Sequence, residues 1–393
     1  MMNKNTLRPV WAEINLDHLA HNMKEVKDSI GKDTLACAVI KADGYGHGAV
    51  EIAKTLVQAG ADRFGVATLT EAMELRRSGV EIPVMVMGYT PDEQWESILK
   101  NNIIQAVYTY EQAAFFNKKA LEQDKTMTVH IKVDTGMSRL GFQTHDQDLE
   151  KIKDIIPMEG LEVEGIFTHF AMADDENKEV TCQQFEKFQT LVKKLEREGY
   201  HIPIKHVSNS AAIIDLPEMN LDMVRAGLML YGFYPSEEVD HQRIKLKKVL
   251  ELKARISLVK DLEKGRGVSY GLTYRTQDKR TIATLPVGYA DGFTRLLTGK
   301  AKVMVDGSPY PVVGRICMDQ SMIDITGISA SIGDTVTVIS SRDEDPNTAD
   351  DLAALLGTIN YEIVCMISRR VPRVYVSGGD VRTITDHLLT RQS

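Results

Sequence analysis

Between residues 35 and 230, short β-rich apolar runs alternate with longer stretches of helical period. The runs are LACAVI (35–40), RFGVA (63–67), PVMVM (83–87), IIQAVY (103–108), MTVHIKV (127–133), LEVEGIFTHF (161–170), IKHV (204–207) and LDMVRAG (221–227). Between the first two, Ala49, Ile52, Ala53, Leu56 and Val57 follow the i, i+3, i+4, i+7, i+8 spacing of one buried helix stripe; Phe185, Phe188, Leu191, Val192 and Leu195 do much the same further on. Strands that alternate with helices predict parallel βα units joined by right-handed crossovers. About eight such units in roughly 200 residues predict an N-terminal (β/α)8 TIM-like barrel, with a doubly wound open sheet as the alternative.

After residue 245 the period changes. LELKARISLVKDL (250–262), RTIATLPVGYA (280–290), AKVMVDG (301–307), PYPVVGRICMD (309–319), QSMIDITG (320–327) and DTVTVISS (334–341) read as strands broken by Gly, Asp and Ser turns. One helix interrupts them near Thr348–Ala349, with NYEIVCMI (360–367) as its candidate continuation. The expected organisation is a barrel over 12–243 followed by a mostly antiparallel β domain over 244–393, to which an N-terminal strand within 1–11 can be added. The boundary falls in the polar, charged YPSEEVDHQR (234–243).

Composition narrows the partners. The chain of 393 residues is 43% hydrophobic and 26% charged, which is ordinary globular usage and enough to bury a core without staples. Its net charge of −8 argues against nucleic acid or an anionic membrane surface, because each needs a concentrated basic face. No apolar run approaches the roughly 18 residues needed to span a bilayer, and the N-terminus lacks the apolar core of a signal peptide. Cys37, Cys182, Cys317 and Cys365 are far apart and form no C-x-x-C. The expectation is a reduced, cytoplasmic protein with neither a disulfide frame nor a metal site.

In a barrel of this type the site lies at the C-terminal ends of the strands. The first strand runs into Lys41 and ADGYGHG, where Gly44, Gly46 and Gly48 flank Tyr45 and His47. Glycines let the backbone approach a ligand, although a plain loop entering a helix has the same look. In the fifth strand His130, Lys132 and Asp134 alternate with Val129, Ile131 and Val133, which turns Lys132 inward near the barrel mouth. Arg139 is close in sequence, so an anion is expected between the two cations: a substrate carboxylate, a chloride or a modified lysine. The plainer alternative is a lysine paired with an ordinary Glu beside a solvated arginine. The sixth strand ends at Thr168–His169, the seventh leads into the helix-start signature Ser208–Asn209–Ser210, and the eighth ends at Arg225–Ala226–Gly227–Leu228. Loops after strands seven and eight often cradle phosphate, so Asn209, Ser210, Gly227 and Leu228 form a candidate phosphate cup, unless Asn209–Ser210 merely caps a helix. A lysine on one side and a phosphate cup on the other suggest pyridoxal 5′-phosphate, which needs a lysine to attach to, a phosphate site and a partner for its ring nitrogen.

Eight motifs in order carry a resemblance: KADGYGHG (41–48), DTGMSRLG (134–141), SNSA (208–211), RAGLMLYG (225–232), VSYGLTY (268–274), PVGYADG (286–292), GRICMDQ (314–320) and Asn360–Tyr361. Over nearly its whole length the chain resembles bacterial alanine racemases, with Leu228 standing where that family more often has Ile. The resemblance implies interconversion of L- and D-alanine, supply of D-alanine for cell-wall peptidoglycan, pyridoxal phosphate as cofactor, and a homodimer whose β domains reach into each other's sites. It implies that Lys41 carries the cofactor and is the base on one face, and that Tyr270 of the partner subunit is the base on the other. Arg225 would bond the ring nitrogen with His206 behind it, and His169 would orient Tyr270 and link it to Arg225. Tyr45, Ser210, Gly227, Leu228 and Tyr361 would hold the phosphate, with Asn209 nearby. Arg139 would bind the phenolic side of the cofactor and the substrate carboxylate, and Met318 of the partner subunit would meet substrate through its backbone. Lys132 matches a position carbamylated in many relatives. Three alternatives stay open at this point. One is a racemase of broader specificity, acting also on serine. Another is an amino-acid decarboxylase of the same layout, whose glycine triplet and acidic ring-nitrogen partner are not seen in the matched motifs. The third is a non-catalytic pyridoxal-phosphate carrier, which resembles the barrel alone.

Overall fold

A computed structural model describes residues 7–389. The described residues form two compact units, one from 19–44 with 49–246, the other from 7–18 with 45–48 and 247–389. The first described strand, β1 (Val10–Asn15), lies in the second unit.

The first unit is the barrel. β2 (Leu35–Val39), β3 (Arg63–Val66), β4 (Val84–Val86), β5 (Ile103–Val107), β6 (Met127–Lys132), β7 (Leu161–Phe167), β8 (Ile204–His206) and β9 (Met223–Ala226) form one sheet, ordered β8-β7-β6-β5-β4-β3-β2-β9, with every recorded pairing parallel. The sheet's two edges meet: Asp222 N–H donates to Lys205 O and Arg225 N–H to Ser208 O, each at 3.0 Å. That closure excludes the doubly wound alternative. The helix Ala49–Gln58 buries Ala49, Ile52, Ala53 and Leu56, the expected stripe without the half-exposed Val57. The helix Glu179–Arg197 buries Phe188, Leu191, Val192 and Leu195 on one side. Each large side chain so covered is worth about 1.5–3 kcal/mol. The strands depart from regularity at one place relevant below. Val129 pairs with Val163 but His130 pairs with Gly165, so Glu164 is an extra residue, a β-bulge in β7.

In the second unit the strands are β10 (Leu250–Arg255), β11 (Leu258–Leu262), β12 (Gly267–Val268), β13 (Tyr274–Arg275), β14 (Arg280–Leu285), β15 (Lys302–Val305), β16 (Ser308–Pro311), β17 (Ser321–Asp324), β18 (Thr335–Ile339), β19 (Arg373–Ser377) and β20 (Asp380–Thr385). Seven of the unit's strands make the main sheet, ordered β16-β15-β18-β10-β1-β19-β20, and β11-β14-β17 make a smaller one. All of these pairings are antiparallel except β1 with β19. The first described strand lies at Val10–Asn15, and its register with β10 and β19 sets it in this sheet; of the expected 1–11, residues 1–6 lie outside the described residues. The expected helix near Thr348 is two helices, Ala349–Leu356 and Asn360–Cys365. Gly357 ends the first with φ 69°, the left-handed C-terminal stop that glycine adopts at little cost. The polar stretch 234–243 is packed rather than loose. Tyr234 stacks on His241 with centroids 3.8 Å apart and donates its hydroxyl to Ile244 O at 2.7 Å. Among the described residues no helix is long and apolar enough to cross a membrane, and no group of three or more His, Cys, Asp or Glu could hold a metal ion.

Candidate active site

Lys41 follows β2 directly and opens an unusual turn. Ala42, Asp43, Gly44 and Tyr45 all have φ between 52° and 61°. Left-handed conformation costs an L-residue roughly 1–2 kcal/mol, so the turn has to be held. Gly44 N–H donates to Ile40 O at 2.9 Å, Ala42 N–H to Glu71 Oε1 at 2.7 Å, and Asp43 Oδ1 accepts from Ala49 N–H at 3.0 Å. The other Glu71 oxygen caps the helix Leu69–Arg77, accepting from Ala67 N–H at 2.8 Å and Thr68 N–H at 3.1 Å. Residues 45–48 pack within the β unit. There the Tyr45 and Tyr361 rings lie 6.1 Å apart, and a Cβ on Gly48 would sit 1.8 Å from the Tyr375 hydroxyl. Burial pushes the Tyr45 phenol well above its ordinary range, so it is a neutral donor.

In the barrel the C-terminal strand ends gather cations with few counter-charges. Arg225, 3% exposed, donates Nη1–H to His206 Nδ1 at 2.9 Å. Its Nη2 donates to Thr168 O at 2.8 Å, to Val207 O at 2.9 Å and to His169 Nδ1 at 3.3 Å. A guanidinium has five N–H bonds; among the described residues the Nε–H of Arg225 meets no acceptor. This donor fits the lone pair of an unprotonated ring nitrogen, and among the described residues no carboxylate bonds Arg225 from behind. Burial, then the charges of Arg225 and Lys132, hold the His169 imidazole well below its usual range. His169 is therefore neutral, accepts from Arg225 through Nδ1 and keeps its proton on Nε2. It can donate a hydrogen bond but does not supply the positive charge that a low-pKa phenol would call for. Lys132 is buried as the strand alternation requires; its Nζ donates to Val133 O at 3.1 Å and lies 5.0 Å from the Phe167 ring centre. No carboxylate forms an ion pair with it among the described residues, against the plain lysine–glutamate reading. Arg139 is exposed in the loop after β6.

The phosphate cup has a defined internal order. Asn209 caps the helix Ser210–Asp215 by accepting from Ala212 N–H at 3.1 Å, so its side chain is committed. Ser210 Oγ accepts from Gly227 N–H at 3.0 Å and from Met229 N–H at 3.5 Å, which ties the loops after β8 and β9 together. The Ser210 hydroxyl proton stays free to donate outward. Of the Gly227–Leu228 pair, it is the Leu228 N–H that opens the short turn Leu228–Tyr231 without an acceptor among the described residues.

The β unit carries Tyr270 and Met318, which are 70% and 52% exposed. Tyr270 stands on a strained turn between Ser269 (φ 62°) and Gly271 (φ 70°), where Ser269 Oγ donates to Arg315 O at 2.6 Å. The Met318 backbone is held from behind: Tyr289 N–H donates to Cys317 O at 3.0 Å and Ala290 N–H to Met318 O at 3.1 Å. A Cβ on Gly288 would come within 2.3–2.6 Å of that same backbone, so only glycine fits there. Buried Asp291 takes Gly288 N–H at 3.0 Å and Arg370 Nε–H at 2.7 Å, and also pairs with Arg8. Sequence reasoning singled out none of Glu71, Glu164, His130, Arg63, Asp291 or Arg373. Their partners are 2 to 327 residues away in the chain, and only the capping-box spacing Thr68–Glu71 could have flagged one of them.

The chain matches the family models "Alanine racemase, N-terminal domain" over residues 14–235 and "Alanine racemase, C-terminal domain" over 249–375. It is 49% identical to an alanine racemase of Clostridium perfringens over 383 residues, 97% of this chain and 99% of the relative. The chain belongs to the alanine racemase family. The structure of an alanine racemase from Clostridium difficile 630 superimposes with a TM-score of 0.94 at 46% identity, covering 97% of this chain and 99% of that one. An alanine racemase from Bartonella henselae with covalently bound pyridoxal phosphate gives a TM-score of 0.82 at 27% identity, covering 94% and 100%. Membership of this isomerase family extends through the β domain, which a carrier resembling the barrel alone would lack.

Proposed function

We propose that the chain is an alanine racemase that binds pyridoxal 5′-phosphate in the barrel. It works as a cytoplasmic homodimer and supplies D-alanine for cell-wall peptidoglycan. The observation that carries this reading is Arg225: a buried cation whose Nε–H is left over among the described residues, which back it with a neutral histidine and carbonyls and with no acid. When bound, the cofactor supplies an electron sink that acidifies the α-carbon of an attached amino acid. The chain's residues do the rest. Lys41 is the point of attachment, and its amine takes or returns the α-proton on one face. The phenol of the partner subunit's Tyr270 serves the other face, so no single base has to swing across the ring. Ser210 O–H and Leu228 N–H donate to the phosphate, with Tyr45 and Tyr361 alongside, and Arg139 takes the substrate carboxylate. Arg225 donates to the ring nitrogen and keeps it unprotonated, which weakens the sink and disfavours transamination and decarboxylation. Met318 of the partner subunit bounds the substrate with its backbone.

The test is purified protein with pyridoxal phosphate and L-alanine, followed for D-alanine and for CO2. D-alanine without CO2 is expected. CO2 release would point to a decarboxylase, bound cofactor without turnover to a carrier, and faster turnover of serine to a broader racemase.

A further inference from the structure

Inside the barrel five side chains stand in a single file of hydrogen bonds. Arg63, the first residue of β3, holds Glu164 with Nη1 to Oε2 at 2.6 Å and Nη2 to Oε1 at 2.8 Å. Glu164 Oε2 lies 2.9 Å from His130 Nε2, His130 Nδ1 lies 2.9 Å from His206 Nε2, and His206 Nδ1 lies 2.9 Å from Arg225 Nη1.

Proton counting gives the file a direction. A guanidinium can only donate, so His206 Nδ1 accepts, and the neutral ring carries its proton on Nε2. That proton points at His130 Nδ1, which must accept. His130 therefore carries its own proton on Nε2 and gives it to Glu164. A carboxylate can only accept, so it ends the file, and Arg63 neutralises it. Burial lowers both imidazoles below their ordinary range, so both are neutral. Burial alone would raise the Glu164 carboxyl; the hydrogen bonds from His130 and Arg63 and the Arg63 charge bring it down to about 2.

The backbone is shaped around this file. The bulge that makes Glu164 the extra residue of β7 re-aims its side chain. A Cβ on Gly165 would lie 2.4 Å from His130 Nδ1 and 2.5 Å from Cε1, so the imidazole fits only beside a glycine. The His206 ring stacks on Phe167 at 4.7 Å, and the His130 ring meets His206 edge-on at 5.0 Å.

We propose that Arg63, Glu164 and His130 are positioning residues for Arg225: the file fixes His206 as the Nε2–H tautomer, so the guanidinium always meets a lone pair behind it and keeps its Nε–H for the ligand. The effect on cofactor rests on the reading that Arg225 bonds the ring nitrogen; the tautomers stand without it. Glu164→Gln makes the point sharpest. Arg63 claims the amide oxygen, so the amide N–H faces His130 Nε2 and turns it into an acceptor. The file then reverses, and His206 Nδ1–H confronts a guanidinium that can only donate.

The experiment uses the full chain labelled with 15N-histidine, with and without added pyridoxal phosphate. His130→Asn and His206→Asn assign the two buried rings by loss of signal. Both rings should carry their proton on Nε2 at neutral pH. A proton on Nδ1 of either ring, or an imidazolium, overturns the proposal on the unmutated protein alone. In Glu164→Gln the Nε2–H form of His206 should be lost and pyridoxal phosphate affinity should fall at least about tenfold. Unchanged tautomers and unchanged affinity in that variant overturn it as well. Expected tautomers in a protein that takes up no pyridoxal phosphate would uphold the file and sink the cofactor reading instead.

Discussion

Arg373 donates Nε–H and Nη2–H to the Gly46 carbonyl, at 3.1 and 3.0 Å. It is fully buried on β19, and its other N–H groups serve Ser368 O at 2.7 Å, Val371 O at 2.6 Å and Ile367 O at 2.9 Å. No lysine can reproduce a planar fork of five donors. Arg373→Lys should therefore leave buried carbonyls unpaired and cost about 2–4 kcal/mol in a denaturant titration. Gly46 is the neighbour of Tyr45, so the same variant should also hold pyridoxal phosphate less tightly. An unchanged midpoint with unchanged affinity would refute that coupling.

Covalent attachment is expected at Lys41. Borohydride reduction followed by peptide mapping should find the label there, and a label on Lys132 would sink the assignment. Glu71 gives an independent handle on the turn that carries Lys41. Glu71→Ala removes the acceptor of Ala42 N–H together with a helix cap, at a cost of roughly 1–2 kcal/mol. The yield of labelled Lys41 at limiting cofactor should drop with it. A full yield in this variant would mean that the left-handed turn holds itself.

What was legible in the chain was whatever local chemistry decides. The two-residue period of β6 points Lys132 inward, and Asn209, offered as a phosphate-cup residue or a helix cap, is seen as the cap. The features that stayed hidden depend on contacts far along the chain. Three of the four left-handed residues after Lys41 are not glycine, so glycine spacing gave no hint of the turn. Strict alternation puts Glu162 and Glu164 on one face of β7. Instead Glu162 accepts from Thr128 on the exposed side and the bulge sends Glu164 to His130. The helix expected to continue from Thr348–Ala349 into NYEIVCMI is broken by Gly357.

Tyr270 is 70% exposed, so Tyr270→Phe should leave stability within about 0.5 kcal/mol. Racemisation should slow in both directions at near-normal cofactor binding, while α-deuterium exchange persists on the Lys41 face. Mixing Tyr270→Phe with Lys41→Ala should restore part of the activity if sites are shared between subunits, because one site of each mixed dimer then holds neither defect. No recovery after verified subunit exchange would mean that each site is built within one chain.

Lys132 gives the prediction with the clearest pH signature. Burial first, then the charges of Arg225 and Arg139, bring its amine down to about 7, against the opposing pull of Asp134. Its folded pKa thus lies below its unfolded value of 10.5. Between those two values the unfolded chain binds the extra proton, so this group makes the fold more stable as pH rises across that window. The same shift leaves a substantial neutral fraction near neutral pH, and it is the neutral amine that reacts with CO2. One N–C bond forms, one proton leaves, and the product is an anion able to pair with Arg139 by charge-assisted hydrogen bonds. A chloride held between the two cations is the competing arrangement, and it requires no deprotonation. Protein equilibrated with 13C-labelled CO2 should show a carbamate carbonyl signal that grows as pH rises through about 7 and is missing in Lys132→Ala. If chloride fills the place instead, the carbonyl signal is absent and the KM for alanine depends on chloride in the unmodified chain but not in Lys132→Ala. Neither signature would leave Lys132 a bare buried cation and remove the anion from the argument. Lys132→Ala should then bind substrate no more weakly than the parent, whereas either anion predicts weaker binding that added acetate or chloride repairs.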